Sequence, residues 1–123
     1  MGQKTKMQQT TDCGSDWWND SNDHAELQHA FEEGAVGATS NPVITYQSVK
    51  NHPGVWLPEI DEMILKNQQA SEDDILWLLC DKVGQKAAKI LLPVYDRTNK
   101  QKGKLSLQVN PKYYRNADAM FEQ

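Results

Sequence analysis

Five polar residues hold the chemistry this chain offers: Asp20, Thr39, Ser40, Asn41 and Gln108. Asp20 stands in the run Trp17-Trp18-Asn19-Asp20-Ser21. Thr39, Ser40 and Asn41 stand in Gly37-Ala38-Thr39-Ser40-Asn41-Pro42, and Gln108 in Leu105-Ser106-Leu107-Gln108-Val109. Each run is short, apolar or small, and ends in a turn or helix signal. Each therefore reads as a strand with its polar tip at the carboxyl end, where parallel α/β proteins gather their functional groups. A carboxylate and two amides around one small mouth suit a ligand rich in hydroxyls. Asp20 can accept or donate a proton, Asn41 can present both a donor and an acceptor, Gln108 can hold a water or a hydroxyl, and Thr39 adds a further hydroxyl. For Asp20 and Asn41 a second reading stands beside this one, as a helix cap and a turn residue before proline. Gln108 is expected to alternate inside its strand, as a buried amide that needs partners.

The elements that must position these residues follow from pattern and punctuation. Strands are expected over 16–20, 35–40 and 105–109. Ser21 or Asn22 is expected to cap a helix bearing Ala25, Leu27, Ala30 and Phe31, and Gly34 to stop it. Pro42 fits the first position of the next helix, where its missing N–H costs nothing, and Val43, Ile44, Tyr46 and Val49 mark that helix's apolar residues. A further helix follows Pro53. Ser71 with Asp74 forms a near capping box for another, bearing Ile75 to Leu91 and ending at Pro93. Asp96 to Gly103 reads as a polar, basic loop, and a last helix begins near Asn116. This alternation is the pattern of parallel βα units.

Composition narrows the function classes. A net charge of −4 argues against nucleic acid as a partner. No run suits a membrane span or a signal peptide, and Lys6 stands where an acylation motif after Met1-Gly2 wants Ser or Thr. Two widely separated cysteines, Cys13 and Cys80, point to a reducing cytosol, with Cys80 a small core residue. Residues 1–15 lack an apolar period and are expected to form a flexible tail. His24, His29 and His52 read as surface residues, Trp56 and Trp77 as core, and no metal-ligand spacing or glycine-rich phosphate loop is present.

Taken together, Trp18-Asn19-Asp20-Ser21, Gly37-Ala38-Thr39-Ser40-Asn41-Pro42-Val43-Ile44 and Leu105-Ser106-Leu107-Gln108-Val109-Asn110-Pro111 resemble the first three strand ends of the transaldolase family. The resemblance runs from about Asp16 to Gln123. It implies an α/β fold, the first three βα units of a partial TIM barrel, with residues 16–123 an incomplete amino-terminal portion. It also implies a metal-free, cofactor-free Schiff-base chemistry that moves a dihydroxyacetone unit between sugar phosphates. By that resemblance Asp20 assists proton transfer and Asn41 binds the covalently held ketose. Thr39 and Ser40, in the same element, contact substrate. Gln108 falls where transaldolases commonly carry glutamate and related small sugar-phosphate aldolases carry glutamine, which leaves transfer and simple aldol cleavage both open. The family's Schiff-base lysine lies on the fourth strand, and the chain ends before it, so the chain alone is expected to be an inactive fragment. The expected partners are a sugar phosphate in the full-length parent and, through open sheet edges, another copy or a partner chain in a non-catalytic role. The expected location is the cytoplasm.

Overall fold

The computed structural model describes residues 3–123. Its elements run α1 (Lys6–Asp12), β1 (Trp18–Asn19), α2 (His24–Glu32), β2 (Gly37–Thr39), α3 (Pro42–Asn51), α4 (Pro53–Lys66), α5 (Glu72–Arg97) and β3 (Lys104–Ser106). A 3-10 turn (Pro111–Tyr113) and α6 (Ala117–Glu122) complete the order. The strands lie side by side as β1-β2-β3, both pairings parallel. Parallel neighbours need a crossover. Helix α2 supplies it between β1 and β2, and α3, α4 and α5 supply it between β2 and β3. The result is an open α/β sheet of the kind that begins a TIM barrel.

The two faces of the sheet differ. Successive strand residues point to opposite sides. Ala38 packs with Leu27 of α2 and with Ala87 and Leu91 of α5, and Leu105 and Ile90 close around them. Gly37 and Thr39 therefore face away from the helices, as Lys104 and Ser106 do on β3. A second core joins Trp56, Leu79 and Val83, with Val49, Ile60 and Met63 against them, and ties α3 and α4 to α5. Over α5, Lys86 pairs with Glu59 at 2.8 Å and lies 4.5 Å above the Trp56 ring.

Several expectations change. Strand β3 stops at Ser106 rather than running to Val109, so Gln108 is exposed and lies outside the ladder. The cause is Pro42. Ser40 N–H donates to the Ser106 carbonyl at 2.9 Å, but two residues on, Pro42 has no N–H to continue the ladder. Helix α5 does not end at Pro93 but continues to Arg97. Pro93 is exposed, so the carbonyl it leaves unpaired reaches water, while Val94 is fully buried and holds the last turn to the core. Asp23, not Ser21 or Asn22, caps α2, accepting from the N–H groups of Ala25 and Glu26. The Ser71–Asp74 capping box and the left-handed Gly34, at φ 104°, are as expected.

The amino-terminal segment also differs from a structureless tail. Helix α1 has no buried residue and no apolar stripe, and polar contacts hold it. Thr5 and Gln8 form a capping box. The Thr5 hydroxyl then donates to the Glu33 carbonyl at 3.1 Å, and Gln8 Nε2 donates to that of Glu32 at 2.9 Å. Met1 and Gly2 lie outside the described residues.

Gly103 sets β3 against β2. Its N–H donates to the Val36 carbonyl at 2.7 Å, its φ is 76°, and a Cβ there would lie 2.3 Å from the Tyr95 backbone nitrogen. Gly103→Ala is expected to lower stability by about 3 kcal/mol, from the left-handed penalty plus displacement of α5. Urea unfolding measures this, and a variant as stable as the parent would contradict the register described here.

Candidate active site

The register brings the strand tips together. Asn19 pairs with Ala38, so Asp20 stands level with Thr39, which pairs with Ser106. The Thr39 hydroxyl donates to Asp20 Oδ1 at 2.5 Å. A hydroxyl given to a carboxylate is a short, charge-assisted bond. It fixes the Asp20 side chain on the sheet face that the helices leave uncovered.

Asn41 and Gln108 each lie two residues beyond that level, and both line one cleft of about 740 Å³ at the carboxyl ends of the strands. Asn41 is also the cap of α3, its Oδ1 accepting from Ile44 N–H at 2.9 Å. The two readings open for this residue are thus compatible. The cap uses the oxygen and orients the amide, leaving the Nδ2 donors free. Trp77, Cys80 and Asp81 of α5 and Asn110 line the cleft as well. Burial pushes the Cys80 thiol up, which keeps it protonated and unreactive. The cleft has Asp74, Asp81 and Glu122 in its lining and neither lysine nor arginine. Asp20 does not line it; Asp20 borders a smaller hollow of about 170 Å³ with Asp23, Glu26, Gln47 and Asn51. The five residues therefore meet at one end of the sheet, with Ser40, Asn41 and Gln108 in the larger cleft, Asp20 at the smaller hollow and Thr39 in neither lining.

Ser40 lines the cleft with Asn41, but its hydroxyl is committed to a buried partner. Its hydroxyl accepts from Asn22 Nδ2 at 2.6 Å. Asn22 is fully buried, and nothing in the sequence pattern marks it beyond a possible cap. Its second N–H goes to the Thr45 hydroxyl at 2.9 Å, and its Oδ1 accepts from the Ser48 hydroxyl at 2.7 Å. One amide thus joins the loop after β1, the tip of β2 and the first turns of α3. The buried face of α3 is Thr45 and Ser48, while Val43 and Tyr46 of its apolar set are exposed. Two hydroxyl residues three apart on one helix face were the available signal for this network.

Next to it lies a buried carboxylate. Asp23 Oδ2 is 3.0 Å from His52 Nε2 and accepts from Asn51 Nδ2 at 3.4 Å. Burial acts to raise its pKa, but the Glu26 N–H, Asn51 and His52 together hold it below the usual carboxylate value. His24 is not a surface residue: it is half-buried, its ring 5.6 Å from that of Trp56, edge to face. Burial, aided by Lys86, lowers its pKa, so the ring is neutral at pH 7.

Among the described residues no lysine lines either concavity, and Lys112, the partner of Asp73, lies 3.8 Å from Asp74 of the cleft. Lys66, Lys82, Lys86, Lys102 and Lys112 are paired with carboxylates. Lys104 shares the uncovered face but opens β3 level with Gly37, below the Asp20–Thr39 pair.

Three parallel strands alternating with helices in an open α/β sheet are consistent with part of a TIM barrel. A family model described as Transaldolase/Fructose-6-phosphate aldolase matches residues 17–123, and the chain belongs to that family. No curated protein and no solved structure matches the chain.

Two outcomes follow from the buried polar groups. Asn22→Ala leaves three hydroxyls without their shared partner and is expected to lower stability by about 2 kcal/mol in urea unfolding; an unchanged midpoint would remove Asn22 from the account. His24 binds its proton more readily unfolded than folded. The stability it contributes is complete above about pH 6.5, the unfolded value, and falls as pH drops toward its lowered folded value. A His24→Gln variant should lose that part of the pH dependence, and equal slopes for the two proteins would contradict the burial of this ring.

Proposed function

We propose that Asp20, Thr39, Asn41 and Gln108 bind the ketose end of a sugar phosphate. The parent reaction is transfer, or retro-aldol cleavage, of a three-carbon ketone unit through a lysine Schiff base. Family membership and the Asp20–Thr39 hydrogen bond at the mouth carry this reading. Breaking the bond between the third and fourth carbons of a ketose needs removal of the proton on the fourth-carbon hydroxyl and stabilisation of charge at the imine. Asp20 is the proton acceptor, and Thr39 holds its carboxylate in place. Asn41, with its oxygen committed to the helix cap, donates from Nδ2 to a ligand oxygen. Gln108 is exposed at the cleft and orients a hydroxyl or a water. As an amide it cannot take up a proton as a carboxylate would. With neither lysine nor arginine in its lining, the cleft takes the uncharged end of the ligand and not the phosphate. Ser40 acts through Asn22.

The chain alone is inactive on this reading, since a Schiff-base lysine must be desolvated and placed at the mouth. Fructose 6-phosphate with borohydride should leave the 123-residue chain unmodified by mass spectrometry. A stable adduct on any lysine, Lys104 included, would show that the chain supplies its own amine. Binding without chemistry should remain, and Asp20→Asn should weaken fructose 6-phosphate about tenfold by loss of a charge-assisted contact.

A further inference from the structure

The sheet face that bears the proposed site also bears an aromatic ring for which that reading has no use. Trp18 stands two residues before Asp20 on β1 and pairs with Gly37 of β2. Its ring lies across that glycine. A Cβ at position 37 would meet indole Cδ2 and Cε2 at 2.5 Å and Cζ2 at 2.9 Å. The missing side chain at Gly37 is therefore what allows the ring to rest on the strand. Gly37 is buried, yet the Trp18 side of the contact stays open, with the residue 43% exposed. Two strand residues rise roughly 6.6 Å, so the indole forms a ledge about that far below the Asp20–Thr39 pair, on the same face.

A ketose presents hydroxyls along some edges and carbon-bound hydrogens along others. The polar edges match Asp20, Thr39, Asn41 and Gln108. Trp77, Leu107 and Val109 give the cleft an apolar wall beside Asn41 and Gln108, and on the uncovered sheet face Trp18 is the apolar surface below Asp20 and Thr39. Binding pockets for small polar molecules combine a few convergent polar groups with an aromatic or apolar wall, and an indole provides a large rigid one. We propose that Trp18, laid over Gly37, is the floor of the ligand site. It contacts the carbon-bound hydrogens of the ketose and limits how deep the carbon chain can go. This inference rests on the ketose reading and adds to it a residue that determines specificity.

Saturation-transfer NMR with fructose 6-phosphate on the whole chain tests it. Saturating the indole protons should transfer to carbon-bound protons of the ligand, and Trp18→Ala, which leaves Trp77 at the cleft, should remove most of that transfer. Trp18→Ala should weaken binding about tenfold and Trp18→Phe threefold or less, because phenylalanine keeps a flat apolar face. Gly37→Ala, which displaces the ring, should fall between these. Amide spectra report whether each variant is folded; if Trp18→Ala is not, Trp18→Leu replaces it under the same criterion. A folded Trp18→Ala protein that binds as tightly as the parent, while Asp20→Asn does not, overturns the floor and leaves the ketose reading standing. A parent chain that shows no transfer, with Asp20→Asn indistinguishable from it, overturns both.

Discussion

The buried amide of Asn22 is the constraint on which the site depends. Both of its N–H groups and its oxygen are engaged, by Ser40, Thr45 and Ser48. A fully buried amide is tolerated only when satisfied in this way. The same need makes the geometry specific, because the three hydroxyls come from the tip of β2 and from α3, while Asn22 itself follows Asp20 by two residues. Satisfying one amide therefore locks the end of β1 against the end of β2. That lock holds Asp20 beside Thr39 and brings α3 to the point where Asn41 can cap it.

Proline and asparagine divide the next task. Pro42 opens α3 at no hydrogen-bond cost and, lacking an N–H, also ends the ladder to β3. Gln108 is thereby released from the sheet and exposed at the cleft. Asn41 turns its oxygen inward to the helix and its amino group outward. One local sequence, Ser40-Asn41-Pro42, thus does three things. It anchors backward to Asn22, orients a donor at the mouth, and frees the residue opposite. The helix-covered face of the sheet carries the core, and the uncovered face carries Asp20, Thr39 and Trp18.

The parts legible in the sequence were those with a strong local cause. Asn-Pro at a helix start, Gly34 at a helix stop, the Ser71–Asp74 box and small residues in β2 each act within a few residues, and each marked its element. Chain order and strand-tip composition were enough to place Asp20, Thr39 and Asn41 at one end of the sheet. The failures have distant causes. Pro93 does not end α5, because Val94 just beyond it is fully buried in the core. His24 is half-buried because Trp56 of α4 lies against it. The α1 helix rests on caps and on carbonyls at the end of α2, with no apolar pattern to betray it. Gln108 lies outside the ladder because Pro42, at the start of α3 just past the neighbouring strand, has no N–H to offer it. Asn22 carried no signal of its own; Thr45 and Ser48 on one face of α3 held the clue.

Membership of the transaldolase and fructose-6-phosphate aldolase family rests on the match over 17–123 and agrees with the parallel sheet. The central claim is narrower: the strand-end amides and the Asp20–Thr39 pair serve a single ligand. Side-chain amide resonances of Asn41 and Gln108, followed by nitrogen-15 NMR during a fructose 6-phosphate titration, test it most directly. Both amides and the backbone N–H groups of Asp20 and Thr39 should shift together along one binding curve. Shifts confined to α4 and α6, or two sets that titrate at different concentrations, would contradict it.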